Sequence, residues 1–409
     1  MLSVSEAEKI ILDLVKPLDS DSDRDLVDLD AANGRILAQT VTGQLDVPHW
    51  DNSAMDGYAV RYEDVKDCSE DDPVTLEIAT EIAAGDRPLV DIKPKQAARI
   101  FTGAMLPKGA DTIVMQENTR RESDRVTILK APQPREFVRH QGAFYQAGKP
   151  LLEAGVKINA AEIAVIATAQ CTSLKVYRRP RVAILSTGDE LVTPEQSLHP
   201  GQIVDSNQYA LSSFVANNGG IPIKLGIVKD NPEELKQAIA RAIESADLVL
   251  STGGVSVGDY DYVDRILSEL GGTLHIRSVA VKPGKPLTVA TFDNNCLYFG
   301  IPGNPVSALV SCWRFVQPAL KKLSGLFDYR TNFVNAITRQ DLKAAGKRET
   351  YLWGQLHLVD GKYEFALAGG GHSSGNLINL AQTNGLAIVP VGQKLITAGS
   401  QIKVLAIAF

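Results

Sequence analysis

LVLSTGGVSVGDYD (248–261) is the stretch on which the fold turns. Leu248–Leu250 is a short apolar run, as in a strand covered on both faces, and it breaks into Ser251-Thr252-Gly253-Gly254. Outward from it, Val182–Leu185 is a second such run, ending in Ser186-Thr187-Gly188, and Ile223–Val228 a third. Helical stripes lie between and beyond them. Ala210, Leu211, Phe214 and Val215 form one, stopped by Asn217–Gly220. Leu235, Ile239 and Ile243 form the next, behind a start at Asn231-Pro232-Glu233-Glu234. There Asn231 can cap, Pro232 suits the first helical position and Glu234 completes a capping box. Val263, Ile266, Leu267 and Leu270 make a helix closed by Gly271. Asn304-Pro305 opens a long helix with Val306, Leu309, Trp313, Val316 and Leu320 inward and Gly325 at its end. Strands alternating with helices predict a parallel α/β sheet, helices on both faces, over residues 178–327.

The flanks read differently. Residues 5–18 carry Ala7, Ile10, Ile11, Leu14 and Val15 at helical spacing, and Ala160–Ala169 is apolar and Ala-rich. Together 1–41 and 149–177 are expected to form one discontinuous helical domain. Between them, Val74–Ile78, Ala98–Phe101, Thr112–Met115 and Arg125–Leu129 predict an inserted β-rich domain over 42–148. Tyr351–Leu356, Gly385–Val389 and Gln401–Ile407 predict a C-terminal β-barrel-like domain over 328–409. The expectation is a multidomain α/β plus β protein, and 409 residues at about 150 per domain leave room for it.

Composition narrows the function. The net charge of −6 speaks against broad nucleic-acid or membrane-surface binding, so any anionic ligand must meet local cations. No apolar run approaches the length of about 20 residues that spans a bilayer. The start MLSVSEAEKI lacks the pattern of a secretory signal. Cys68, Cys171, Cys296 and Cys312 are far apart, and the six histidines are scattered. Neither a disulfide framework nor a zinc site is suggested, and a cytoplasmic protein is expected. The six aspartates in 19–30 lack a fixed ligand spacing and read as a solvated loop.

Ligands of open parallel sheets bind beyond the carboxyl ends of the strands. Glycine and polar clusters fall there: Ser186–Glu190, Ser251–Asp261, Lys282–Pro286 and Gly300–Pro305. The 251–261 loop is neither a Walker A loop nor GxGxxG. Its small residues Ser251, Gly253, Gly254, Ser256 and Gly258 would let backbone N–H groups approach an anion at a helix start. A plain tight turn is the alternative, less apt for three such loops in one domain. Pro302, Gly303, Asn304 and Pro305 repeat the strand-to-helix pattern. Glu190, Asp230, Asp259 and Asp261 at strand ends offer oxygen ligands for Mg2+ beside a phosphate. They would equally complement helix N-termini, and the residues alone leave both readings open. Lys282 and Lys285 flank a Pro-Gly turn suited to an oxyanion or to plain solvent. Arg135 and Arg139 are a second candidate anion clamp. DVPHWDNSAMDGYA (46–59) has neither helical nor strand period, so it is a packed corner or a functional loop.

Seven segments carry a family resemblance: DNSAMDGYAV (51–60), IFTGAMLPKGADTIVMQE (100–117), AILSTGDEL (183–191), GQIVDSN (201–207), STGGVSVGDYDY (251–262), VKPGKP (281–286) and GIPGNPVSA (300–308). In this order they resemble the molybdopterin molybdenumtransferase (MoeA) family, related to the E domain of gephyrin. The resemblance implies a homodimer of elongated four-domain subunits. It implies insertion of molybdate into adenylylated molybdopterin, with Mg2+, releasing AMP. The cleft would lie between the α/β domain of one subunit and the N-terminal domains of the other. The positions implied to matter are Asp56, Thr102, Arg139, Glu190, Asp230, Asp261, Lys282, Lys285, Pro302, Pro305 and Ser374. Glu190, Asp230 and Asp261 would be the Mg2+ ligands, while Thr102, Arg139 and Ser374 could hold molybdate. The implied protein partners are the molybdopterin adenylyltransferase and molybdoenzyme apoproteins or their chaperones. Two positions depart from the family. Ala143 and Phe144 stand where many relatives have an acidic pair, and Ser278, beside Arg277, where they have a basic residue. Two other functions are the alternatives. A molybdopterin adenylyltransferase shares the α/β domain type but lacks the extra domains, and a scaffold module would have a long linker or fused domain.

Overall fold

A computed structural model describes residues 1–253, 260–370 and 375–407; the side chains of Tyr260 and Asp261 are also outside what it describes. At its centre is a six-stranded sheet in the order Ile221–Val228, Arg181–Thr187, Leu248–Thr252, Leu297–Ile301, Pro286–Thr291, Thr273–Ser278. The first four strands are parallel. The last two extend the expected parallel sheet through antiparallel ladders: Pro286–Thr291 runs against Leu297–Ile301, and Thr273–Ser278 against Pro286–Thr291. The turn from Phe292 to Cys296 is too short for a crossover, so the strands it joins run in opposite directions.

Alternation along the strands feeds both faces. Val182, Ile184, Leu248 and Leu250 pack on one side with Leu211, Phe214, Val306 and Phe315. Ala183, Leu185 and Val249 pack on the other with Leu235, Ile239, Ile243, Val263 and Leu267. Each large side chain buried this way contributes about 1.5–3 kcal/mol. The helices are Asn207–Asn217, Pro232–Ser245 and Tyr260–Glu269. At the second, the Asn231 Oδ1 accepts from the N–H groups of Glu233 and Glu234. Full capping boxes form instead at Ser3/Glu6 and Asn159/Glu162.

The long helix expected from Asn304 to Gly325 is interrupted. Pro305–Ser311 and Gln317–Leu323 are α-helical, and Cys312–Val316 between them is a π turn. Pro318 has no N–H to give to the Arg314 carbonyl one turn back, and the wider turn absorbs that loss.

The helix Val4–Leu14 departs from the expected grouping. Its Val4, Ala7 and Ile11 join the core of the α/β domain, Leu2 bridges Val279, and the Leu18 N–H donates to the Leu323 carbonyl. A separate core of Ala32, Leu37, Val41, Ile158, Ile166, Leu174 and Val176 joins residues 24–42 to 150–177. There Arg24–Val27 pairs with Leu174–Tyr177.

The inserted segment is a six-stranded mixed sheet in the order Thr112–Met115, Gly57–Val60, Gln96–Ile100, Val74–Ile82, Arg125–Ile128, Thr119–Glu122. It has core clusters of its own on its two sides. Toward the C-terminus, Glu349–Val359, Lys362–Leu367, Phe333–Thr338, Gln401–Ala406 and Gly385–Val389 close into a barrel. Val281–Lys282 adds to its rim beside Glu349–Thr350, tying the barrel to the α/β domain. Among the described residues no helix is long and apolar enough to cross a membrane.

Candidate functional site

The carboxyl edge of the central sheet gathers most of the expected residues. Strand Arg181–Thr187 ends at Gly188, whose N–H donates to the Val228 carbonyl and so holds two neighbouring strand ends together. Asp189 Oδ1 accepts from the Asp230 N–H at 3.2 Å. The Glu190 carboxylate folds back over Gly188, so close that a Cβ there would lie 2.6 Å from Glu190 Oε2. Glu190 and Asp230 are both exposed on adjacent strand ends.

One strand over, Gly253 has φ +87, and a Cβ there would lie 2.2 Å from the Thr187 carbonyl. Gly303 packs against Gly253; a Cβ on Gly303 would sit 3.4 Å from its Cα. The missing Cβ at Gly253 lets the ends of Arg181–Thr187 and Leu248–Thr252 close up, with Gly303 beside them. Asn304 caps the next helix by accepting from the Ser307 N–H at 3.1 Å, with Pro305 at the first position. Pro302 is buried behind them. Strand Pro286–Thr291 runs antiparallel, so its start, carrying Lys285, reaches this same edge beside Ile301–Pro302. Lys282 and Lys285 are exposed around Gly284, which has φ +103 and no room for a Cβ against Ser311 Oγ.

Ser251 does not reach the edge. It is 3% exposed and packs with Tyr298, whose hydroxyl burial pushes up to about 12. Gly254, Ser256 and Gly258 of the same loop, and Ser374, lie outside the described residues, as does the Asp261 side chain. Asp261 is nonetheless in the first turn of the helix Tyr260–Glu269, next to this edge in the chain.

A second cluster forms in the inserted domain. Asp56 Oδ1 accepts from both the N–H and the hydroxyl of Thr102, at 2.8 and 2.7 Å. Those two bonds, with Arg99 nearby, hold the carboxylate below its ordinary range. Arg139 pairs with Asn52 across a short ladder that brings PREFVRHQG against DNSAMDG. Asp51 fixes the turn after it, accepting from the Gln141 N–H at 2.7 Å and lying 3.1 Å from His140 Nδ1. Burial works to raise the Asp51 pKa, but Gln141 and His140 outweigh it and the carboxyl is held low. Arg135 is exposed in the same segment.

Asp56 and Thr102 bond each other, and the Arg139 ladder is with Asn52, so the partners of this cluster lie within the inserted segment. Among the described residues no group of three His, Cys, Asp or Glu side chains is placed to hold a metal ion.

Several supporting residues escaped sequence reasoning. Asn207 donates from Nδ2 to the Gly303 carbonyl at 2.7 Å, fixing the glycine contact. Its signal was its place at the end of GQIVDSN. Arg99 sits between the Tyr58 and Phe101 rings and donates to the Gly57 carbonyl and Gln116 Oε1. Its signal was a lone cation in an apolar strand. Arg277, beside Ser278, is engaged by an acidic partner. Its Nε donates to Asp264 Oδ2 at 2.6 Å, on the helix that begins at Tyr260.

Comparison with known proteins identifies the family. Residues 2–169 match the MoeA N-terminal region (domain I and II). Residues 183–322 match a probable molybdopterin binding domain, and 335–407 the MoeA C-terminal region (domain IV). A molybdopterin molybdenumtransferase of Nostoc sp. is 60% identical over 408 residues, covering 99% of this chain and 94% of the relative. One from Haemophilus influenzae is 35% identical over 347 residues, 84% of this chain and 83% of the relative. The crystal structure of a molybdopterin biosynthesis MoeA protein from Pyrococcus horikoshii superposes with a TM-score of 0.85 at 26% identity, covering 99% of this chain and all of that one. The chain belongs to the molybdopterin molybdenumtransferase (MoeA) family.

Proposed function

We propose that this chain inserts molybdate into adenylylated molybdopterin, with Mg2+, and releases AMP. The observation that carries the reading is the outward-facing Gly253–Gly303 contact, with carboxylates on one side and lysines on the other. Neighbouring strands lie about 4.8 Å apart, so from the strand of Asp230 to that of Lys285 the edge spans about 19 Å. That length suits an extended pterin–anhydride–nucleotide better than a single phosphate.

The residues divide the work by charge. Backbone around Gly253 and Gly303 lets the anhydride approach closely. Lys282 and Lys285 offset the negative charge at one end. The oxygen-only donors Glu190 and Asp230, with Asp261 added from its place in the sequence, fit Mg2+; Glu190 can fold back this way only because residue 188 lacks a Cβ. When bound, the ion neutralises charge on the anhydride. Molybdate, itself an oxyanion substrate, would meet Thr102 and Arg139, with Asp56 orienting Thr102 and Ser374 a further contact. No nucleophilic side chain is assigned; positioning and electrostatics supply the rate enhancement.

Since the partners of Asp56, Thr102 and Arg139 lie within the inserted segment, we place the complete cleft across a homodimer. All four cysteines are free, in keeping with a reducing cytoplasm. There the adenylyltransferase would supply the substrate, and molybdoenzyme apoproteins or their chaperones would receive the product.

Molybdate-dependent release of AMP from the adenylylated pterin is the direct test. ATP-dependent adenylylation instead would point to the other enzyme of the pair, and neither activity to a scaffold. A mixing test addresses the shared cleft. Thr102→Val and Lys285→Ala chains, each at about a tenth of wild-type activity or less alone, should rise to about a quarter when randomly mixed, since half the dimers carry one intact cleft of two. No recovery would refute the two-chain cleft.

A further inference from the structure

The opposite, amino-terminal edge of the central sheet carries a second concentration of positive charge that the proposed reaction does not use. There a pocket of about 240 Å³ lies between the residues 24–42/150–177 unit and the α/β domain. Arg35, Lys157, Arg178, Arg179 and Lys321 line it, and no acidic residue does. Two of the five cations are neutralised: Arg35 by Asp25, and Arg178 by Asp23 and Asp247. The other three, Lys157, Arg179 and Lys321, have no ion-pair partner within 4 Å among the described residues.

We propose that this pocket binds a tetrahedral oxyanion, of the phosphate or molybdate class, that bridges the two units through Lys157, Arg179 and Lys321. Lys157 belongs to the first unit, where it forms a bridge with Ile36. Lys321 belongs to the last turn of the helix Gln317–Leu323. Arg179 lies between the strands Leu174–Tyr177 and Arg181–Thr187, at the junction of the two. Three like charges converge in a chain whose net charge is −6. The carbonyl end of the helix offsets only about half of one of them. Lys321 is half-buried, and its ammonium is held below its ordinary pKa by desolvation first, then by Lys157 against the opposing pull of Asp328. An anion between the lysines would reverse that penalty. At this volume the pocket has room for a tetrahedral oxyanion.

The site is distinct from the proposed reaction edge. A strand of the length of Arg181–Thr187 separates them by about 20 Å at 3.3 Å per residue. The test is calorimetric titration of the full-length protein with inorganic phosphate, molybdate and acetate. Because the carboxyl edge also favours anions, it is run in the Lys285→Ala background and in wild type. The expected result is saturable binding of phosphate and molybdate, not acetate, that Lys285→Ala leaves intact. Lys157→Met and Lys321→Met should each weaken it about tenfold, the scale of one charge-assisted hydrogen bond. Arg179→Gln, at an exposed position and so safe for folding, should weaken it as well. Phosphate bound more than tenfold tighter than molybdate would make this a phosphate site, and the reverse order a molybdate site. Binding abolished by Lys285→Ala, or unchanged in all three pocket variants, would overturn the proposal.

Discussion

Gly253→Ala should break the meeting of strand ends that forms the candidate site. The added Cβ would lie 2.2 Å from the Thr187 carbonyl oxygen and 2.7 Å from Thr187 Oγ1. Ordinary carbon–oxygen contacts begin at about 3.3 Å, so about 1 Å of separation must open between strands Arg181–Thr187 and Leu248–Thr252. The obstacle is backbone, which cannot rotate away as a side-chain tip would. The φ of +87 adds about 1–2 kcal/mol for any residue with a Cβ. With the clash, the total is about 3 kcal/mol or more, at the severe end for a single methyl. Gly303→Ala is the control. Its Cβ would meet only Gly253 Cα and N, at 3.4 and 3.5 Å, and its φ is not positive. That variant should keep its stability to within about 0.5 kcal/mol. The chain has several domains, so a single melting temperature would blur the effect. Hydrogen exchange, read on peptides covering 181–187 and 248–252, localises it. Gly253→Ala should lose protection there and keep it in the barrel strands 349–359 and 401–406. Equal protection in Gly253→Ala and wild type would refute the backbone contact described.

Other expectations follow from the same geometry. Arg314 is 4% exposed and donates to both carboxylate oxygens of Glu8 and to the Tyr351 hydroxyl, joining the first helix, the π turn and the barrel. Glu8→Ala should cost about 3–5 kcal/mol by denaturant unfolding, because it leaves a buried guanidinium without its counter-charge; an unchanged midpoint would contradict the staple. Thr102→Val removes the hydroxyl that donates to Asp56 without touching the core, so AMP release should fall about tenfold or more with unfolding unaltered. For Asp247, burial works to raise the pKa, but the Arg178 guanidinium and the Arg181 N–H outweigh it and hold it below the ordinary 3.8. A depressed native pKa stabilises fully above the unfolded value and is lost as pH falls through the native one. The stability gap between wild type and Asp247→Asn should therefore be full near neutrality and shrink below about pH 4; a gap that widens in acid would show the sign to be wrong.

Much of the α/β domain was legible because its signals are local. Buried runs such as Val182–Leu185 and Leu248–Leu250, the Asn231 cap and the Asn304-Pro305 start act within a few residues. What long-range packing decides was not legible. The stripe Ala7, Ile11 marks a buried face but does not say whether it packs with 149–177 or with the α/β core, where it lies. Pro318 is a visible interruption whose accommodation as a π turn depends on the packing around Arg314. The antiparallel pairing of 286–291 with 297–301 is set by the short turn 292–296, and these strands lack clear alternation. At the candidate site, glycines and charged residues stood out by type and place, as with Gly253, Gly303 and Lys285. Asn207 and Arg99 did not, because their roles depend on which carbonyl or ring the fold brings beside them. Ser251 matched the glycine loop in composition, yet strand alternation turns it inward toward Tyr298.

The central claim is that the carboxyl edge of the sheet seats the pterin nucleotide. A crystal structure of the protein with the adenylylated pterin and Mg2+ tests it most directly. The anhydride should lie over the Gly253–Gly303 contact, the ion beside Glu190 and Asp230, and Lys285 within hydrogen-bond reach of a phosphate oxygen. The compound bound elsewhere on the molecule, with that edge open to bulk water, would contradict the account.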